Sequence, residues 1–246
     1  MTTYAAQKFQ CSVCGAVSEF KVLASTNSFG SPDLDLRPAP MQRWTMDTWI
    51  QECPECGYVS GKISDHTDIS PEFLKSEAYR SCDGLDFKSE LAVLFYRKYM
   101  ICMKEGAGDS AFEPVLHAAW CCDDKNDTEN ALHCRKLSIP LLAERIKWKK
   151  EYFDVRIRYE TSDPCPDPRI IDKLTQAGRE EIDPLLLMKA DLLRRAGCFE
   201  QLLTEYQNVR FSEPLLNRIL AFEIEKANQQ DTNRYTVRDV PGDDQQ

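Results

Sequence analysis

The spacing of apolar side chains along the chain follows two periods, and the change between them falls near residue 70. Before it, Phe20, Val22 and Ala24 alternate with polar neighbours, the period of a half-buried strand. Residues 48–53 and 58–63 flank a short turn and suit a hairpin across it. Residues 25–38 between these stretches are rich in Ser, Gly, Pro, Asn and Asp, the composition of an inserted loop. The first 66 residues therefore read as β structure with an insertion.

From Ser70-Pro71-Glu72 the period becomes helical. Ser as N-cap and Pro in the first turn open a helix. Leu91, Leu94, Phe95 and Cys102, interrupted by Lys98, form a stripe that ends at Gly106. Ser110 and Glu113 are spaced as a capping box, which predicts a helix with Phe112, Leu116, Ala119 and Trp120 on its apolar face. Asp127 caps the next, with Ala131, Cys134, Leu137 and Leu141 inward. Pro140 lies inside that pattern and predicts a kink or a split. Residues 145–160 continue as an amphipathic segment of mixed charge, and residues 161–168 read as a loop. Asp183-Pro184 predicts the start of a further helix, closed by Gly197, and two more cover residues 199–209 and 212–229. Helices joined by short turns predict stacked hairpins. The Ala118-to-Ala131 and Ala190-to-Leu202 stretches are patterned like tetratricopeptide halves, without a matching 34-residue repeat.

Composition narrows the class. The chain has 246 residues, 42% apolar and 29% charged, which is the balance of a soluble globular protein with room for a core. No apolar run reaches the roughly 20 residues that span a bilayer, and residues 1–10 lack a signal-peptide core. Eleven cysteines without an export signal predict a cytoplasmic location. Net charge is −9, and residues 1–66 hold five basic against seven acidic side chains. Nucleic-acid binding requires a positive footprint, so this balance counts against it.

Four of the cysteines stand apart. Cys11-Ser12-Val13-Cys14-Gly15 and Cys53-Pro54-Glu55-Cys56-Gly57-Tyr58 are two C-x-x-C turns, each followed by Gly. Such a knuckle aims two sulfurs at one point while Gly takes a positive φ to leave the turn. Two knuckles supply the four thiolates of a structural Zn²⁺ site, a closed shell with no position for a catalytic water. The 38 residues between Cys14 and Cys53 exceed the 15–20 or so of compact sites, which predicts the inserted loop. A redox or iron–sulfur pairing is the alternative. The other seven cysteines, Cys82, Cys102, Cys121, Cys122, Cys134, Cys165 and Cys198, read as core or surface thiols.

Three weaker constellations remain. In an extended backbone Asp33, Asp35 and Arg37 would share one face, either to bind a cation or cationic ligand or as a salt-bridged loop pinning the insertion to the ribbon. His117 and Cys121, with His133 and Cys134, would make a second metal site only against their helical geometry, and packing is the stronger expectation. Trp148, Tyr152, Arg156 and Tyr159 are spaced four, four and three apart, so one helix face can carry all four. Aromatic residues and Arg dominate interface energetics, so these four are candidates for partner binding. Packing against the next hairpin is the alternative. Phosphate-binding glycine loops, nucleophile elbows and H-E-x-x-H are missing from the sequence.

The two knuckles, the stretch Gly30-Ser31-Pro32-Asp33-Leu34-Asp35-Leu36-Arg37-Pro38 and the Ala118-Ala119-Trp120 segment resemble a family of uncharacterised bacterial proteins with an N-terminal zinc ribbon and tetratricopeptide-like helices. The resemblance implies a zinc site and helical repeats and carries no reaction with it. The expected protein is α+β: a zinc-stapled β ribbon with an inserted loop over residues 1–68, an α-helical hairpin array over 69–240 and a disordered tail over 241–246. Its expected function is that of a non-enzymatic scaffold or adaptor holding one structural Zn²⁺ and engaging another protein through its helices. The alternatives are a nucleic-acid-binding ribbon protein and a metal-dependent hydrolase built on Asp33 and Asp35.

Overall fold

The computed structural model describes residues 1–162 and 166–242. Cys165, part of the expected 161–168 loop and most of the expected tail lie outside them. The protein is mixed, with a small antiparallel β region at the N-terminus followed by helices. By contact it divides into two compact units. One comprises Met1–Pro32 and Arg37–Ser138, the other Asp33–Leu36 and the chain from Ile139 onward.

The first unit opens with two hairpins. Strand β1 (Thr3–Gln10) pairs antiparallel with β2 (Val17–Ser25), and β3 (Gln51–Glu52) pairs with β4 (Val59–Ser60). The alternation leaves Phe20 and Val22 half-buried but does not extend to Ala24, which is exposed, and Phe20 meets Phe9 with ring centroids 6.2 Å apart. A 3-10 helix, Gln42–Thr48, follows the inserted loop. Helix α1 (Pro71–Lys75) starts at the expected cap, where the Ser70 hydroxyl accepts from the Phe73 N–H, and Ser76 caps α2 (Glu77–Arg80) in the same way. Helix α3 (Glu90–Lys104) ends at Gly106, whose φ of +70° allows the Ala107 N–H to reach the Cys102 carbonyl. Its partner α4 (Gly108–Asp124) forms the most extensive helix pair of the unit, closed over Phe95, Ile101, Phe112, Val115, Ala118 and Ala119.

Here the capping-box expectation fails. Helix α4 begins two residues before Ser110, and its N-cap, Ala107, makes no side-chain cap bond. The tight exit at Gly106 delivers the chain directly into the next helix, so Ser110 already lies in the first turn.

Helix α5 (Thr128–Thr161) begins where Asp127 predicts it. The Asp127 carboxylate accepts from the Lys88 N–H at 3.0 Å and from the Asn130 side chain at 2.9 Å. Pro140 does not split α5, which runs through it, while the division between compact units falls at Ser138 and Ile139. Proline inside a helix costs about 3 kcal/mol or more. Ala131, Cys134 and Ser138 before it are buried in the first unit, and Leu142, Ile146 and Phe153 after it are buried in the second.

In the second unit Pro184 does not start a helix. Helix α6 (Pro168–Arg195) begins sixteen residues earlier, capped by Asp167, and passes through Pro184 with Leu174, Gly178 and Ile182 buried on one side of it and Leu187, Ala190 and Leu193 on the other. Helices α7 (Phe199–Tyr206) and α8 (Pro214–Asn228) follow, and both α7 and α8 pack on α6. The chain after α8 is mostly irregular: the Leu34 N–H donates to the Tyr235 carbonyl at 3.0 Å, and Asp33 forms a bridge with Thr236. No helix among the described residues is long and apolar enough to cross a membrane.

Candidate metal centre

Each hairpin of the first unit ends in a knuckle, and the two are built alike. The pairs Gln10 with Val17 and Glu52 with Val59 each enclose a six-residue loop. In the first loop the Cys11 N–H donates to the Ala16 carbonyl (2.8 Å) and the Gly15 N–H to the Cys11 carbonyl (2.9 Å). In the second, Cys53 donates to Tyr58 (2.8 Å) and Gly57 to Cys53 (2.9 Å). Gly15 and Gly57 have φ of +76° and +74°, a region that L side chains avoid.

This backbone brings Cys11, Cys14, Cys53 and Cys56 together with all four sulfurs within 4.8 Å of one another. Cys11 Sγ lies 3.7 Å from Cys56 Sγ, and Cys14 Sγ lies 3.6 Å from Cys53 Sγ. Both distances are far beyond a disulfide bond of about 2.05 Å. They match the edge of a tetrahedron, about 3.8 Å, that four sulfurs make around an ion at about 2.3 Å. The residues therefore fit one tetrahedrally bound metal ion. Burial raises the Cys53 and Cys56 thiols, whereas the Ala16 N–H aimed at Cys14 lowers that one. Four thiolates in so small a volume repel one another, and a central cation removes that penalty.

Residues that the sequence pattern does not reveal hold the second knuckle. Tyr79 of α2 is 1% exposed and donates its hydroxyl to the Gly57 carbonyl at 2.7 Å. Arg97 of α3 pairs with Glu52 at 2.8 Å and lies over the Tyr79 ring at 5.5 Å.

The remaining candidates separate. Asp33, Asp35 and Arg37 do not line one extended face: the Leu36 N–H closes a turn onto the Asp33 carbonyl at 2.9 Å, with Leu36 at φ +63°. The ion pairs described for them lead to residues of the helical half. Within the second unit Asp35 pairs with Arg195 at 2.9 Å, and Asp33 lies 3.8 Å from Arg234. Within the first, buried Arg37 forks onto Asp124 at 2.9 and 2.5 Å and donates to the Trp120 carbonyl at 3.4 Å.

His117 is packed among the rings of Trp49, Phe95 and Trp120, with centroids 5.3, 5.1 and 4.8 Å away. His133 faces Tyr96. Among the described residues the knuckle cysteines are the one group of three or more ligating side chains that comes together. Cys82, Cys102, Cys121, Cys122 and Cys134 are buried thiols, and Cys198 is half-buried.

Trp148, Tyr152 and Tyr159 are 60%, 42% and 79% exposed. Trp148 stacks on Tyr152 with ring centroids 5.7 Å apart, and Arg156 donates to the Tyr152 hydroxyl at 2.9 Å. Comparison with protein-family models, curated proteins and solved structures finds no match to this chain.

Proposed function

We propose that this protein is a non-enzymatic, zinc-binding scaffold or adaptor that engages another protein through its helices. The observation that carries the reading is the exposed aromatic row on α5. At about 100° per residue, Trp148, Tyr152, Arg156 and Tyr159 fall within about 80° of the helix circumference. Large aromatic side chains left in water lose the stabilisation that burial would supply, roughly 1.5–3 kcal/mol for a Phe-sized group, and a partner recovers it. Stacking and the Arg156 bond hold three members of the row in place before any partner arrives, which lowers the ordering cost of association. Helical hairpins stacked in the tetratricopeptide manner would be the frame presenting this row. Replacing Trp148 and Tyr152 by Ala tests the reading. Melting temperature is expected to hold while capture of a partner from a host lysate is lost. A large fall in melting temperature would mean that these rings stabilise the fold, and the assignment would be dropped.

Zinc is the metal that best suits four thiolates at tetrahedral spacing. In this reading it joins two hairpins too small to fold alone and performs no chemistry. Structural zinc contributes apparent binding energies of about 10–16 kcal/mol, more than most domains have in stability. Protein purified without added metal is expected to contain one zinc per chain by elemental analysis, and Cys53→Ser is expected to lose both the metal and the hairpin structure. Iron in its place, or no metal at all, would sink the assignment.

The hydrolase alternative is not carried forward, because Asp33 and Asp35 are 1% and 0% exposed and have structural partners. No observation favours the nucleic-acid alternative over the net charge of −9.

A further inference from the structure

Three hollows of the second unit adjoin one another through shared lining residues and are taken together as a furrow. The largest, about 660 Å³, lies among α5, α6 and α7. A second, of about 290 Å³, continues from it through Lys150 and Leu186. A third, of about 380 Å³, continues through Val209 and Arg210 toward α8. The volume of the largest is that of ordinary ligand sites.

The largest hollow has aliphatic walls and a cationic rim. Ala143, Ile146, Leu186 and Val209 supply the apolar surface, and buried Tyr206 donates its hydroxyl to the Leu186 carbonyl at 2.7 Å, which fixes one wall. Lys189 is neutralised by Glu205 at 2.6 Å. At the largest hollow Lys147, Lys150 and Arg210 stand against Glu151, whereas the second hollow adds Arg179 against Asp154 and Asp183, so the positive excess lies at the largest hollow. Arg210 is held there by donating to the Val209 carbonyl at 2.6 Å. This local excess of positive charge stands out on a chain of net charge −9. The surrounding helix contributes to it, since residues 145–160 hold six basic and three acidic side chains.

We propose that this furrow binds an acidic peptide segment of another protein. An aliphatic side chain of the segment would seat in the largest hollow, and flanking carboxylates would meet Lys147, Lys150 and Arg210. The proposal rests on the scaffold reading and names the chemistry of its partner. Charge complementarity at a rim raises association rates and rejects partners of the wrong sign, while the apolar pocket supplies affinity. A single-stranded nucleic acid fits less well. It requires stacking platforms along a cationic groove, whereas the aromatic side chains lining these hollows, Tyr206 and Phe153, are buried and offer no free face for a base.

The test uses the full-length protein and fluorescein-labelled peptides of about a dozen residues, read by anisotropy at ~0.15 M salt. One peptide alternates Leu and Glu, a second alternates Leu and Lys, a third is Glu alone, and oligouridylate is the fourth probe. The Leu/Glu peptide is expected to saturate, with each other probe at least about tenfold weaker. The triple substitution Lys147→Glu, Lys150→Glu and Arg210→Glu is expected to weaken it by about tenfold or more at an unchanged melting temperature, since all three side chains are exposed. Equal binding of the Leu/Lys peptide, stronger binding of oligouridylate, or indifference to the triple substitution would overturn the proposal. The two readings fail separately. If the acidic peptide does not saturate but the Trp148 and Tyr152 substitutions still abolish capture, the furrow falls and the scaffold stands. If the peptide binds and capture ignores that double substitution, the aromatic row falls and the furrow stands.

Discussion

Arg194 is fully buried and still meets two carboxylates, Asp191 of its own helix at 2.7 Å and Glu223 of α8 at 2.6 Å. One guanidinium cannot neutralise both, so burial, reinforced by the neighbouring Asp191, pushes the Glu223 carboxyl up to about 8. The consequence for stability has a definite sign. Between the ordinary Glu value near 4.5 and about 8, the unfolded chain has released this proton and the folded protein keeps it. Stability is therefore fullest below the lower value and declines as pH rises to the upper one. Asp191 and Arg194 on α6 both act on Glu223, and Tyr235 lies over Arg194 at 5.2 Å. Urea unfolding from pH 5 to 9 is expected to show this decline, and Glu223→Gln, which cannot ionise, is expected to flatten it. An unchanged slope in the variant would place the titration on another group.

The same scale shows why some residues were legible and others were not. The knuckle cysteines sit three apart and followed by Gly, so their geometry is local and can be read directly from the sequence. Tyr79 is 22 residues from its carbonyl acceptor in Gly57 and Arg97 is 45 from Glu52, and no periodicity links such pairs. For Asp33, Asp35 and Arg37 the salt-bridge reading was available, but the turn at Leu36 and the identity of the partners depend on packing that alternation cannot express.

Among the elements, helices were recognised more reliably than their ends. The apolar stripes around Phe112 and Leu193 placed α4 and α6, whereas Ser110 and Pro184 misplaced their starts. Local capping chemistry is worth about 1 kcal/mol; at Ser110 the exit at Gly106 overrides it, and at Pro184 a long buried face on both sides of the residue does. The crossing of α5 and α6 shows what such packing demands. A Cβ built on Gly178 would stand 3.2 Å from Cγ of buried Phe153. A β-branched side chain there adds further methyls against the ring, and overpacking of this kind costs about 1–3 kcal/mol. Gly178→Val is therefore expected to lower the urea midpoint, despite the better helix propensity of Val. Val at Gly61, where a Cβ would meet only the Trp49 carbonyl oxygen at 3.9 Å, is the control for glycine replacement without such crowding. Equal midpoints for Gly178→Val and the native protein would show that Phe153 can move aside.

At the scale of the molecule, the shift from β to helix near residue 70 was legible, while the grouping of residues 33–36 with the chain beyond residue 139 was not, because it depends on contacts between segments far apart in sequence. The second unit depends on the stretch after α8. Arg194 Nη1 donates to the carbonyls of Asp231 and Asn233 at 2.9 and 2.8 Å, Tyr235 sets its ring edge against Phe222 at 5.0 Å, and the Tyr235 carbonyl receives the Leu34 N–H. Ending the chain at Gln230 removes all of these and leaves a buried guanidinium short of two acceptors. Hydrogen bonds to charged groups contribute about 1.5–3 kcal/mol each, so the second unit is expected to unfold at a clearly lower urea concentration. The four cysteines belong to the first unit, so the metal content is expected to stay at its full-length value. Circular dichroism through a urea titration, with metal measured on the same sample, checks both halves of this prediction. An unshifted midpoint would mean that the terminal stretch does not stabilise the unit, and metal loss accompanying the truncation would mean that the two units do not hold their structures independently.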